Sequence, residues 1–100
     1  MNKIPKKFHV GGQDMQVNVV ERCENDNLGN CCVACGIVEV ANTFNGKYQS
    51  EGCKLNTFFH ELTHAILDTM GENELSANEK FVTTFSGFLT EAVRSFEYGE

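Results

Sequence analysis

The most regular pattern of hydrophobic residues lies in the second half of the chain and predicts two helices. Between Ser50 and Gly71, hydrophobic residues recur at helical spacing and form one stripe: Leu55, Phe58, Phe59, Leu62, Ile66 and Met70. Ser50 is suited to cap this helix, and Gly71 is suited to end it. A second helix is expected to open at Ser76, and its hydrophobic row contains Phe81, Phe85, Phe88, Ala92 and Phe96, with Val82, Leu89 and Val93 beside it. The short connection predicts that the two helices are antiparallel neighbours.

The first half of the chain alternates between hydrophobic and polar residues and predicts strands. Residues 8–10 and 15–20 flank a glycine-rich turn, which indicates a β-hairpin. Residues 23–30 are polar and predict a loop, whereas residues 32–40 are β-branched and apolar and predict a third strand with its neighbour. The pattern therefore predicts a single α+β domain over residues 1–100, in which a small N-terminal antiparallel β-sheet packs on two long antiparallel helices.

The hydrophobic runs and the net charge of the chain argue against some classes of binding partner. The chain has 100 residues and a formal net charge of −6, and no basic stripe is present to track phosphates, so nucleic acid is not expected as a partner. No hydrophobic run is long enough to span a bilayer, and the basic N-terminus lacks the apolar segment of a signal peptide. A cytoplasmic location without a membrane partner is therefore expected, and the oligomeric state stays open.

The five cysteines do not predict a disulfide framework. Their number is odd and no signal peptide precedes them, which argues against disulfides. Cys32 and Cys35 form a C-x-x-C motif, but Cys23 and Cys53 are too scattered to complete an obvious structural zinc site. Reduced structural thiols are the preferred interpretation, with adventitious metal binding by the C-x-x-C pair as the alternative.

The candidate metal-binding and catalytic residues lie in the sequence His60-Glu61-Leu62-Thr63-His64. This sequence has the pattern H-E-x-x-H and lies inside the first predicted helix. Residues four apart on a helix lie on the same face, so one cation can take a nitrogen from each imidazole. Glu61 then lies beside the metal and can act as the general base for a water. A capped or solvated histidine pair on a surface helix is the simpler alternative.

Zinc requires a third protein ligand, and the candidates downstream are Glu72, Glu74 and Glu79. Glu72 and Glu74 are predicted in the connection, where they would be solvated. Glu79 lies on the second helix and is the preferred ligand. It has a competing role, since Ser76-Ala77-Asn78-Glu79 also matches a capping box, in which Glu79 would accept a hydrogen bond from the Ser76 amide.

Residues 58–67, 70–71 and 78–82 and the opening Ile4-Pro5-Lys6-Lys7-Phe8 resemble small zinc-peptidase-like proteins of phages and prophages. More distantly, the chain resembles gluzincins such as the ImmA-type peptidases that inactivate phage repressors. The resemblance implies a minimal zincin-like fold, with His60, His64 and Glu79 as ligands of Zn²⁺ and Glu61 as the base. One position departs from the pattern: relatives often carry Asp four residues after the Glu ligand, where this chain has Thr83.

Two functions follow from this reading. The first is zinc-dependent hydrolysis of a peptide or protein substrate, with Tyr98, Tyr48 or His9 as oxyanion donor and a strand edge within Ile37 to Val40 pairing with the substrate. The second is a zinc-binding interaction module with weak or no activity, because the chain lacks the additional subdomain that usually completes a zincin cleft. An unrelated helical interaction protein would require the H-E-x-x-H match to be accidental.

Overall fold

The computed structural model describes residues 3–99, in which strands come first and helices follow. The strands are Lys7–Val10 (β1), Gln13–Val20 (β2), Gly29–Cys32 (β3), Ile37–Ala41 (β4), Thr43–Phe44 (β5) and Lys47–Tyr48 (β6). The helices are Glu51–Met70 (α1), Asn73–Ser76 (α2) and Glu79–Arg94 (α3). The predicted α+β class is confirmed, with two long helices packed on an N-terminal sheet.

The main sheet has the order β1-β2-β4-β3, and it is mixed, not wholly antiparallel as predicted. β1 and β2 form the expected hairpin, but β2 pairs with β4 in parallel. β3 begins inside the predicted loop and pairs antiparallel with the outer side of β4. The hydrophobic strand β4, in which Val38, Val40 and Ala41 are fully buried, thereby occupies the interior of the sheet.

Helix α1 packs one face against this sheet. Phe58 and Ala65 pack in the core with Met15, Val38 and Val40. The rings of Phe8 in β1 and Phe58 are arranged edge to face, with their centroids 5.8 Å apart. The predicted ends are confirmed, since Ser50 Oγ accepts a hydrogen bond from the Cys53 amide and Gly71 adopts a left-handed conformation. Ile66 and Met70, which belonged to the predicted stripe, stay exposed.

The second face of α1 is covered by α3, whose buried residues differ from the predicted row. Val82, Ser86 and Thr90 are buried, whereas Phe85 and Phe88 are 47% and 67% exposed. The buried hydroxyls donate hydrogen bonds to carbonyls of their own helix, from Ser86 to Thr83 and from Thr90 to Ser86. This inner face can be polar because the α1 face that it approaches carries the polar residues of the H-E-x-x-H segment. The aromatic row is consequently left outside.

The second long helix begins at Glu79 and not at Ser76. Asn78 is its N-cap, and Asn78 Oδ1 accepts a hydrogen bond from the Phe81 amide at 3.1 Å. Ser76 belongs to the separate short helix α2, and its amide donates to the Glu72 carbonyl. The sequence pattern favours Ser76 as the cap because Ser76 and Glu79 have the spacing of a capping box.

The turn between β3 and β4 brings Cys32 and Cys35 together as a disulfide, so the expectation of reduced thiols is wrong for this pair. A short turn places the two sulfurs side by side without needing a larger framework. Cys23, Cys31 and Cys53 are free, and burial raises the pKa of the Cys31 thiol to about 12. Burial therefore favours the protonated form of the Cys31 thiol.

Helix α1 and the edge strand β3 approach each other closely at Gly29. A Cβ at this position would lie 2.7 Å from Thr57 Cγ2 and 2.9 Å from the Glu39 carbonyl oxygen.

Among residues 3–99, no helix combines the length and hydrophobicity that a membrane crossing requires.

We predict that Gly29→Ala lowers the free energy of unfolding by about 1–3 kcal/mol, because an added methyl forces β3 and α1 apart. Chemical denaturation measures this change. The control is Gly87→Ala in α3, where an added Cβ meets no atom within 4 Å. That substitution should stabilise the helix by roughly 0.5–1 kcal/mol. Equal stability of Gly29→Ala and the natural protein would contradict the close approach.

Candidate metal centre

The two histidines of the H-E-x-x-H segment lie one helical turn apart in the middle of α1. Their ring centroids are 5.0 Å apart, and both side chains are largely shielded from solvent. Both imidazoles direct Nε2 towards the start of α3. Burial, followed by the neighbouring His64, lowers the pKa of His60, which favours the neutral form that a metal requires.

Glu79, the first residue of α3, brings its carboxylate to both imidazoles. Glu79 Oε1 lies 3.3 Å from His60 Nε2, and Glu79 Oε2 lies 3.3 Å from His64 Nε2. The competing capping-box role is wrong, because the Ser76 amide is bonded to Glu72 and Asn78 caps the helix. Glu72 and Glu74, the other two candidate ligands, are exposed and lie outside the cluster of His60, His64 and Glu79.

The three side chains fit a divalent metal. One ligand atom from each of His60, His64 and Glu79 can be chosen so that all lie within 4.8 Å of one another. Tetrahedral zinc with bonds of about 2.0–2.1 Å separates its ligand atoms by roughly 3.3–3.4 Å. The two 3.3 Å contacts made by the Glu79 carboxylate match that separation. Two imidazoles and one carboxylate form a donor set that suits zinc, and they leave a fourth position for water.

Ser76 supports one of the histidines. Its hydroxyl is 3.0 Å from His64 Nδ1, and the residue is buried in α2. If Nε2 bound a metal, Nδ1 would carry the proton and donate a hydrogen bond to Ser76 Oγ, which would fix the tautomer and the ring orientation. The sequence assigned Ser76 only to capping. Thr83, the position where relatives often carry Asp, is exposed and lines the cleft beside His60.

Glu61 lies next to the three candidate ligands but is buried. It is 8% exposed, and burial, followed by the negative charge of Glu79, raises its pKa to about 7. A cation held by the cluster would favour the ionised carboxylate and oppose this shift. Glu61 and His60 both border a cleft of about 420 Å³, so the carboxylate is accessible from the same space as the imidazole.

The cleft is bordered by α1, by the start of α3 and by the beginning of the edge strand β3. Its walls include His60, Glu61 and Thr57 of α1, Thr83 of α3, and the residues that lead into β3: Asn27, Leu28 and Gly29. The predicted substrate-pairing edge at Ile37 to Val40 is wrong, because β4 is paired with β2 on one side and β3 on the other. Among the described residues, β3 is the terminal strand of the sheet on that side, so its outer edge has no partner strand.

None of the three predicted oxyanion donors lines this cleft. Tyr48 and Tyr98 are 78% and 84% exposed, and His9 Nδ1 lies 2.9 Å from Asp14 Oδ1 on the surface hairpin. Asn56 lies one turn before His60 on α1 and does line the cleft. The i, i+4 spacing from Asn56 to His60 was the sequence signal for a polar group on this face.

We predict that zinc stabilises the protein and that Glu79→Gln removes most of this effect. Zinc at a thousandfold above its dissociation constant should add about 4 kcal/mol. Gln keeps the size of the side chain but is a poor zinc ligand, so Glu79→Gln should fold and respond weakly. Thermal denaturation with and without zinc measures the difference, and His60→Ala and His64→Ala should behave likewise.

Glu74→Gln is the matched control for this experiment, because it removes the same charge outside the cluster. It should respond to zinc as the natural protein does. A zinc response retained by Glu79→Gln and lost by Glu74→Gln would place the third ligand in the connection between the long helices.

We predict that Ser76→Ala weakens zinc binding by roughly 10–100-fold, because it removes the partner of His64 Nδ1. Competition with a chromophoric chelator measures the affinity. Ser95→Ala is the control, since Ser95 Oγ donates only to a carbonyl of its own helix, that of Ala92. Unchanged affinity in Ser76→Ala would show that the hydroxyl does not hold the ring for metal binding.

Comparison with models of protein families, with curated protein sequences and with solved structures finds no match to this chain.

Proposed function

We propose that the protein is a zinc-dependent peptide hydrolase. The single observation that supports this most strongly is the convergence of His60, His64 and Glu79, with Glu61 beside them in the same cleft. A purely structural cluster would not need an additional buried carboxylate next to the ligands. Burial of an unpaired acid is unfavourable, and such groups concentrate at functional sites.

Zinc in this site would polarise a peptide carbonyl and lower the pKa of a bound water. The residues of the chain would do the remaining work. Glu61 would accept a proton from the attacking water and then transfer it to the leaving amine. His64 would be held in position by Ser76, and His60 and Glu79 would complete the ligand set. The fit of Glu61 to this role rests on its position in the cleft wall.

An extended peptide is the substrate that best suits the cleft. The outer edge of β3 offers backbone groups that can pair with an added strand, and β3 begins beside Glu61. Gly29 brings this backbone close to α1, so a paired peptide would pass near the candidate ligands. The resemblance to small phage zinc-peptidase-like proteins and to ImmA-type peptidases agrees with this proposal but rests on the sequence motifs.

The alternative is a zinc-binding interaction module with weak or no activity. One observation favours it: the tyrosines and the third histidine, which could stabilise an oxyanion, lie away from the cleft. Zinc would then serve to join α1 and α3, and the cleft would hold a partner without cleaving it. The two functions share the metal site and differ only in turnover.

We predict that Glu61→Gln binds zinc as the natural protein does and loses peptide hydrolysis by about 10²–10⁴-fold, because it keeps the ligands and removes the base. Cleavage of a quenched fluorescent peptide library measures the activity, and elemental analysis measures the metal. Glu72→Gln is the control for the loss of one exposed charge. Zinc binding without cleavage by the natural protein would favour the interaction module.

A further inference from the structure

A second groove lies next to the cleft beside His60 and follows the junction of α1 and α3. It has a volume of about 750 Å³, and Asn56 and Thr83 border both spaces. The two spaces are therefore neighbours. The groove extends between the helices as far as Gly52 near the start of α1 and Arg94 at the end of α3.

A glycine in the interior of α3 keeps this groove open. Gly87 borders the groove and has no positive φ, and an added Cβ there would meet no atom within 4 Å. Glycine in a helix interior is destabilising relative to alanine. Neither the backbone conformation nor the packing of the described residues requires glycine at this position. The effect of Gly87 is to leave space in the groove.

The far end of the groove presents a cation. Arg94 Nη1 lies 2.9 Å from the position of a Cβ on Gly52, so the absence of a side chain at Gly52 gives the guanidinium room. Within residues 3–99, Arg94 forms no ion pair, whereas Arg22 is paired with Asp26 at 2.7 Å. Glu91 borders the groove one turn earlier, so an incoming anion has to reach past it to Arg94.

The distance from the candidate metal site to Arg94 is about the length of a short extended peptide. Gly52 precedes His60 by eight residues on α1, which is about 12 Å along the helix axis. An extended peptide advances about 3.3 Å per residue, so three or four residues cover this distance. A guanidinium recognises a carboxylate through paired N–H donors.

We propose that the groove between α1 and α3 binds one side of an extended peptide substrate, and that Arg94 binds a carboxylate three or four residues from the cleaved bond. The carboxylate is that of an acidic side chain or of the C-terminus of the substrate. This inference rests on the proposed hydrolase function, because it places the cleaved bond at the site formed by His60, His64 and Glu79. It adds a substrate class, peptides with an acidic group at a fixed distance.

The test measures binding by zinc-loaded Glu61→Gln, so that peptides are not consumed. Fluorescence anisotropy gives the Kd of labelled ten-residue peptides that are otherwise uncharged and amidated, with one Glu placed at each position in turn. Gln replaces Glu in the matched peptides, and one further peptide has a free C-terminal carboxylate. We expect one placement of Glu, or the free terminus, to bind roughly fivefold more tightly than its neutral match.

Substitution of Arg94 tests which group makes the preference. In the Glu61→Gln background, Arg94→Gln should abolish the preference for acidic peptides. Arg94→Glu should reverse the preference, so that peptides in which Lys replaces Glu bind more tightly. Arg22→Gln is the control for loss of one arginine, and it should retain the preference. A stronger effect of the free terminus identifies the C-terminal carboxylate, and a stronger effect of internal Glu identifies a side chain.

Gly87→Leu tests the groove itself, because it fills the open space with a good helix former. We expect it to raise the melting temperature by about 2–8 °C and to weaken peptide binding. Ala92→Leu is the control, since Ala92 is exposed on α3 outside the groove, and it should leave peptide binding unchanged.

Equal Kd values for every acidic peptide and its neutral match, the peptide with the free C-terminus included, would overturn this inference. A preference that survives Arg94→Gln, or no peptide binding at all, would also overturn it. The proposed hydrolase function is judged separately, by cleavage with the natural protein. If the natural protein cleaved the library with no preference for acidic residues, the hydrolase function would be supported and the proposed role of Arg94 would be wrong.

Discussion

The contact of one carboxylate with two imidazoles determines how the helical half of the protein is arranged. Glu79 reaches both His60 and His64, so the start of α3 must lie against the middle of α1. The short helix α2 makes this possible, because it brings the chain back from the end of α1 and places Ser76 against His64. The candidate ligands thus come from both long helices, and a bound cation would stabilise only the folded arrangement.

The same contact explains why the inner face of α3 is polar. At its start, α3 meets the imidazoles of His60 and His64, and Thr83 lines the same cleft as Asn56 of α1. Ser86 and Thr90 are buried there because their hydroxyls bond within the helix, and Val82 supplies the hydrophobic contact. The aromatic row of α3 consequently faces outward, and the long helices separate enough to leave a groove next to the candidate metal site.

The sheet determines the surroundings of Glu61, the proposed base. β3 approaches α1 closely only because Gly29 has no side chain, and this approach buries the carboxylate of Glu61 in the wall of the cleft. The strand that buries Glu61 is also the one that offers a free edge to an extended peptide. One close approach therefore positions the proposed base and the proposed substrate-binding edge together.

The sequence by itself determined the local features: the hairpin β1–β2, both ends of α1, the α+β class and the pairing of His60 with His64 on one helical face. These depend on spacing within a few residues. The tertiary structure alone decided that β4 lies inside the sheet and that Ser76 lies against His64. The Cys32–Cys35 pair and the Asn78 cap are local features that the sequence pattern did not predict. The tertiary structure also decided which face of α3 is buried, because a hydrophobic row indicates burial only when the facing surface is hydrophobic, and here that surface is the polar side of α1.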